Sequence, residues 1–355
     1  MLFVSMDESY ARYARQCGLE IADPDTFGIR RRKRGEGFRF INEQGRSPGR
    51  DVTARLKALA IPPAWSDVRC TNKERHHVLV VGTDGDGRRQ YIYHPDWENV
   101  RNAIKVERLL RFGRALPRIR RAITRDLRRG RVESPDGVAA LAARLVDKAA
   151  MRPGNEAYAL RGHRGVATLA RDDVSVAGEE IELNYVGKSG REHEFSVRDP
   201  LAAKVMQRLK RSRRKTRRRA LSRRLLTYKG HDGEQYALTA TKLNQYLAEV
   251  ASAPVSAKDF RTFIGSTYAL ELLNDCKNIE NEAEREKAVS RAVNAVSERL
   301  RNTPAVARSS YIMPTIIEQF ESGELGATLF HGPPRKGLSR SETALLRHLE
   351  QARKQ

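Results

Sequence analysis

At 355 residues, 39% of them hydrophobic, the chain is long enough for two or three domains with packed cores, yet it carries a formal net charge of +23. Lys and Arg number 67 against 44 acids, and the planar fork of arginine suits bidentate contact with phosphate, which makes nucleic acid the leading partner. No apolar run approaches 18 residues, and no cleavable signal or lipidation motif is present, so the expectation is a soluble protein of the cytoplasm, associated with the nucleoid, and no membrane partner. Cys17, Cys70 and Cys276 lie far apart with no CxxC pair, which argues against a disulfide framework or a zinc finger.

The first hundred residues contain short β-patterned runs, most clearly 77–82 and 88–94 around the turn Thr83-Asp-Gly-Asp-Gly87, which predicts a hairpin. The Asp-x-Asp-Gly of that turn lacks the downstream Glu and helix of a calcium loop, and the doublet His76-His77 reads as a strand end, so no metal site is expected. From Glu98 the pattern turns helical, through Val106, Leu109, Leu110, Leu116, Ile119 and Ile123, and again over 138–151. Arg152 follows in Met151-Arg-Pro-Gly-Asn-Glu156, presented where the chain leaves a packed element. Residues 174–197 break into three strand-like pieces, a small sheet inside a helical domain.

Gly187-Lys188-Ser189 lacks the upstream Gly and following helix of a nucleotide-binding loop, so no nucleotide cofactor is expected there. Lys188 instead occupies a Gly-flanked hairpin tip, from which an ammonium can reach a leaving oxygen. The run 204–224 then places about a dozen Lys or Arg around apolar Val205, Leu209 and Leu221, either a solvated helix face or a track for a DNA backbone. Ser256-x-x-Asp259 reads as a capping box that puts Arg261 in the second turn of a helix packed through Phe260, Ile264 and Leu270.

Asn302 and Tyr311 are nine positions apart, on opposite faces of any continuous helix, but Thr303-Pro304 breaks that helix as cap and first residue and lets both side chains converge. A tyrosine, whose free pKa is about 10, attacks a phosphodiester at neutral pH only where cations stabilise its phenolate and the charge growing on phosphorus. The expected organisation is α+β: a β-rich amino-terminal domain over 1–100, a larger, mostly helical catalytic domain over 101–335 with its small three-stranded sheet, and a polar carboxy-terminal tail over 336–355, read as a polar helix or a frayed end.

Arg152, Lys188, Lys258-Asp-Phe-Arg261, and Asn302 with Tyr311, in that order, resemble the type IB DNA topoisomerases, most closely the short poxvirus and bacterial branch. Ile61-Pro-Pro-Ala-Trp65 and Gln90-Tyr-Ile-Tyr-His-Pro95 resemble that branch's amino-terminal domain, so the likeness covers nearly the whole chain. The resemblance implies relaxation of supercoiled double-stranded DNA by a monomer that closes on the duplex as a clamp, with neither ATP nor metal. Tyr311 takes the nucleophile's place in a 3′-phosphotyrosyl intermediate. Arg152 and Arg261 match the arginines on the nonbridging oxygens, and Lys188 matches the lysine that protonates the 5′ oxygen.

Asn302 stands where poxvirus and nuclear members carry His, as in some bacterial members, and offers one neutral hydrogen bond. Asn155 replaces a DNA-reading Lys, which puts the viral sequence preference in doubt, while Tyr158 matches its Tyr. Gln90, Tyr91 and Tyr93 match groove-contacting positions, and Lys258 and Arg308 are further candidates for contact with DNA. A tyrosine recombinase shares the Arg, Lys, Arg and Tyr set, but its second arginine typically follows His-x-x, where this chain has Lys258. A noncatalytic DNA-coating protein would need only the charge.

Overall fold

A computed structural model describes residues 8–129, 132–212, 221, 223–326 and 328–353; residues 213–220 and 222, the middle of the basic run, lie outside them. The chain divides into two compact units, with the division after Lys105.

The first unit is built on a five-stranded antiparallel sheet in the order β2-β1-β3-β4-β5, with β1 Ile29–Arg34, β2 Gly37–Ile41, β3 Ser66–Cys70, β4 Val78–Thr83 and β5 Arg89–Tyr93. The helices α1 Glu8–Gln16 and α2 Arg50–Ala58 accompany it. Ile29, Phe40, Val68, Cys70, Leu79 and Val80 of the sheet close on Leu56 of α2 as one core. The hairpin expected over 77–94 is β4–β5, in the register Val81 with Tyr91 and Gly82 with Gln90. Its turn is held by Asp84, whose Oδ1 accepts the Asp86 and Arg88 amide protons at 3.0 and 2.9 Å. Gly87 supplies the left-handed residue at φ +75°. The Asp84 carboxylate is therefore committed to the turn, and those donors, the Arg88 amide first, hold its pKa down to about 2.

The second unit is mostly helical. It holds the greater part, from Val106 on, of the long α3 Trp97–Arg128; α4 is Pro135–Ala149, and α5 Glu156–Ala159 is a single turn capped by Asn155. The antiparallel sheet β6 Val174–Ala177, β7 Glu180–Val186 and β8 Glu192–Arg198 follows, then α6 Pro200–Arg211 and the short hairpin β9 Thr227–Lys229 with β10 Gln235–Ala237. The remaining helices are α7 Ala240–Ala251, α8 Ala257–Asp275, α9 Glu282–Leu300, α10 Pro304–Tyr311, α11 Pro314–Glu321 and α12 Arg340–Ala352. α8 lies in the middle of the core: Phe260 and Phe263 meet Phe112 of α3 edge-on at 4.8 and 5.3 Å. Among the described residues no helix is long and apolar enough to cross a membrane.

One local expectation needs correction. The segment expected at the end of the chain as a polar helix or frayed tail forms the helix α12, but Ala344, Leu345, Leu346 and Leu349 of it are all but fully buried. A Cβ on Gly113 of α3 would fall 2.5 Å from Leu346 and 2.7 Å from Phe263, so α3, α8 and α12 meet without spare volume. The helix starts at a capping box, with Ser339 N–H donating to Glu342 at 2.8 Å and Glu342 N–H to Ser339 at 3.1 Å. Pro314 opens α11 as its first residue.

Candidate functional site

The end of α4, the start of α8, the end of α9 and α10 bring four expected residues together in the second unit. The capping box before α8 forms, with Ser256 N–H donating to Asp259 at 2.7 Å. Asp259 is also gripped by Arg108 of α3 at 2.5 Å, so the first turn of α8 is fixed and Arg261 is aimed from it. Arg261 is 3% exposed, and its guanidinium carbon lies 4.7 Å from the centre of the Tyr311 ring.

Thr303 caps α10 through the Val306 amide at 3.4 Å, and Pro304 is its first residue, so the chain turns between Asn302 and Tyr311 as expected. The Tyr311 backbone is docked on α8. Its carbonyl accepts a hydrogen bond from Ser266 Oγ at 3.2 Å, and Ser266 Oγ in turn accepts the Met313 amide at 3.1 Å. A Cβ on Gly265 would stand 2.6 Å from that same carbonyl oxygen. Glycine is the residue that permits this approach.

Arg152 leaves the α4 end in a turn that Gly154 makes at φ +91°, while its carbonyl accepts the Val166 amide at 2.8 Å. Its Nη2 donates to Asn302 Oδ1. That bond fixes the amide of Asn302, so Nδ2 is the other end; it is buried and, among the described residues, has no hydrogen-bond partner. A buried donor left unpaired beside a guanidinium is suited to an incoming anionic oxygen.

The counter-groups of these cations are carbonyls. Arg261 donates to Ala150 O and, at 2.9 Å, to Leu300 O; Arg152 reaches Arg301 O at 3.4 Å; Arg301 reaches Ala149 O at 3.4 Å. These oxygens belong to the ends of α4 and α9, where helix carbonyls lack partners and the dipole is negative. Ala150 and Arg301 take up the left-handed conformation that turns the chain there, at φ 51° and 54°. Among the described residues none of Arg152, Arg261 and Arg301 pairs with a carboxylate, so their full charge faces the site. Burial pushes the Tyr311 pKa up, but the fields of Arg261, Arg152 and Lys258 outweigh it and the phenol lies below its ordinary value.

Lys188 is exposed at the β7–β8 tip, which Gly187 and Arg191 close at 2.7 Å and Gly190 turns at φ +71°. The tip is tied to the cluster by Arg191, which donates to Asn302 O at 3.0 Å. Lys258 is exposed in the first turn of α8, near enough to act on Tyr311. Arg308 is not part of the cluster and pairs with Glu321 at 3.5 Å. Tyr158 is 47% exposed on α5.

In the first unit, Gln90 donates to Asp84 at 2.7 Å. Tyr91 and Tyr93 stand 5.9 Å apart, flanked by Arg89 and Arg101 over their faces. Of the basic run, the described part of α6 buries Val205, Met206 and Leu209 on one face. Arg191, Arg301, Gly265 and Ser266 were missed from the sequence, where only the glycine inside a helical pattern marked a close approach.

The family profile described as eukaryotic DNA topoisomerase I, catalytic core, matches residues 94–324. That of the bacterial DNA topoisomerase IB N-terminal domain matches residues 37–84. The chain is similar to DNA topoisomerase 1B of Acanthamoeba polyphaga mimivirus, 26% identical over 304 residues that span 83% of this chain and 88% of the relative. DNA topoisomerase 1B of vaccinia virus (strain Copenhagen) is 23% identical over 270 residues, 74% of this chain and 80% of the relative. DNA topoisomerase I of monkeypox virus is 22% identical over the same shares of each chain.

Proposed function

The chain belongs to the type IB DNA topoisomerases, and from that premise we propose that it relaxes supercoiled duplex DNA by cutting one strand, letting it rotate and resealing it. The observation that carries the mechanism is the Tyr311 phenol lying under the Arg261 guanidinium, beside an Arg152–Asn302 pair that has one donor to spare.

Tyr311 Oη attacks the backbone phosphorus and gives its proton to solvent; the new O–P bond replaces the bond from phosphorus to the 5′ oxygen. Arg152 and Arg261 hold the nonbridging oxygens as negative charge builds in the pentacoordinate transition state, and Asn302 Nδ2 donates the further hydrogen bond. Lys188 protonates the departing 5′ oxygen. The phosphodiester energy stays in the 3′-phosphotyrosyl bond, so rotation is followed by the reverse attack with neither ATP nor metal. Gln90, Tyr91, Tyr93, Tyr158, Lys258 and Arg308 contact the duplex, and the enzyme acts as a monomer.

The test is relaxation of supercoiled plasmid in EDTA without ATP, with capture of protein bound to the 3′ end. The intact protein relaxes DNA and forms the adduct; Tyr311→Phe binds DNA and does neither. Relaxation by Tyr311→Phe, or an adduct on the 5′ end, overturns the mechanism.

A further inference from the structure

The hairpin that presents Lys188 is braced by two residues with no part in the mechanism above. Beneath its tip, Gly187 lies against the edge of the His193 ring: a Cβ at 187 would fall 2.1 Å from Nε2 and 2.3 Å from Cδ2. His193 is 4% exposed and stacks on Tyr185 of β7 with ring centres 5.0 Å apart and planes inclined by 21°. It is an odd group to bury here. Its Nδ1 has no hydrogen-bond partner among the described residues, a condition that costs stability and that an apolar ring of similar size would avoid. Burial, joined by the fields of Arg301, Arg152 and Arg261, holds its pKa down to about 4, so the ring is neutral at physiological pH and adds no charge to the cluster.

From the other arm, the exposed Arg191 reaches across to the Asn302 carbonyl at 3.0 Å. The tip between Gly187 and Gly190 is thus held once from below by a ring and once from the side by a guanidinium. The side anchor is on the residue whose amide meets Arg152.

We propose that His193 and Arg191 are positioning residues that set the hairpin tip so that Lys188 Nζ meets the departing 5′ oxygen; this rests on the reading of Lys188 as proton donor. In that step the Tyr311 Oη–P bond forms, the P–O5′ bond breaks with its electron pair on O5′, and one proton passes from the Lys188 ammonium to that oxygen. A flexible lysine on an unbraced loop would visit the oxygen in few conformations, and misplacement by about 1 Å costs a reaction on the order of 100-fold.

The experiment compares single-turnover cleavage of two duplexes, one with the ordinary bridging 5′ oxygen and one with sulfur in its place. A thiolate leaves without a proton, so a defect confined to proton delivery vanishes on the sulfur duplex. Lys188→Ala, His193→Ala and Arg191→Ala are each expected to cleave the oxygen duplex roughly 10- to 100-fold slower than the intact protein and to recover to within about 3-fold of it on sulfur. If Lys188→Ala is slow on both, the reading of Lys188 as acid falls. If Lys188→Ala recovers while His193→Ala and Arg191→Ala stay equally slow on both, or cleave the oxygen duplex normally, the positioning role falls. Arg191 is exposed, so its variant decides the matter even where His193→Ala does not fold.

Discussion

In the proposed mechanism, Tyr311 and Asn302 owe their chemistry to what does not neutralise their neighbours. Because the fields of Arg261, Arg152 and Lys258 outweigh burial at the phenol, removing one of those cations raises the pKa at which Tyr311 ionises. The cleavage rate should climb with pH through a midpoint below about 10, the free value, and Lys258→Met should move that rising limb to higher pH; a limb that stays put removes Lys258 from the field at Tyr311. Asn302 is bound through Oδ1 and, among the described residues, unpartnered at Nδ2. A histidine there can accept from Arg152 with one nitrogen and donate with the other, so Asn302→His keeps at least part of the single-turnover cleavage rate. Asn302→Ala loses about 100-fold or more, the usual effect of deleting one donor to a developing oxyanion. Equal loss in both variants would sink the donor role.

At the scale of elements, the decisive contact is α10 against α8. A methyl on Gly265 has to displace the Tyr311 carbonyl, 2.6 Å from where the Cβ would stand, and a backbone atom gives way less readily than a side chain. Gly265→Ala should cut cleavage by about 100-fold through misplacement of the phenol while duplex binding stays within about 2-fold. Loss of binding to the same degree would mean general disruption instead. Some local signals could be read directly: Ser256 with Asp259, Thr303 with Val306, and Asp84 in its turn are short-range hydrogen bonds that a few neighbouring residues determine. Ser266 under Tyr311, Arg301 against the α4 end and His193 under Gly187 join segments that are 45, 152 and 6 residues apart, and only side-chain packing settles such meetings. α12 was a legible element misjudged. Ser339 and Glu342 are a capping box, and Leu345 and Leu349 are four apart on one face, but the surrounding charges hid the stripe.

Across the whole catalytic unit, Arg120 of α3 ties α4 to α12, reaching Asp147 at 2.9 Å and Glu342 at 2.7 Å. Asp147 is 5% exposed and Arg120 28%, so Arg120→Met leaves a buried carboxylate without its cation. The expected loss is about 2–3 kcal/mol, under the ~3–5 of fully enclosed pairs. Burial raises the pKa of Glu342, but Arg120 outweighs it and the net shift is downward from 4.5. Its contribution is therefore complete above pH 4.5 and fades as acid carries the pH down through the lowered value. Denaturant midpoints taken from pH 7 to 3 should fall more steeply for the intact protein than for Arg120→Met; parallel curves would count against this linkage. For the DNA complex, a chain of charge +23 making six to ten phosphate contacts should lose about 10³-fold or more in affinity between 50 and 200 mM salt, and a flat response would exclude phosphate-dominated binding.

The burial of α12 bears on how the protein is made. Leu346 fills the space beside Gly113 and Phe263, and Phe263 lies two residues, about half a turn, beyond Arg261 on the same helix α8. A chain growing on the ribosome exposes its amino-terminal residues first, so Tyr311 and the cations around it are synthesised before the segment that completes the packing around α8. The packing behind Tyr311 and its cations is therefore closed last, once α12 has emerged.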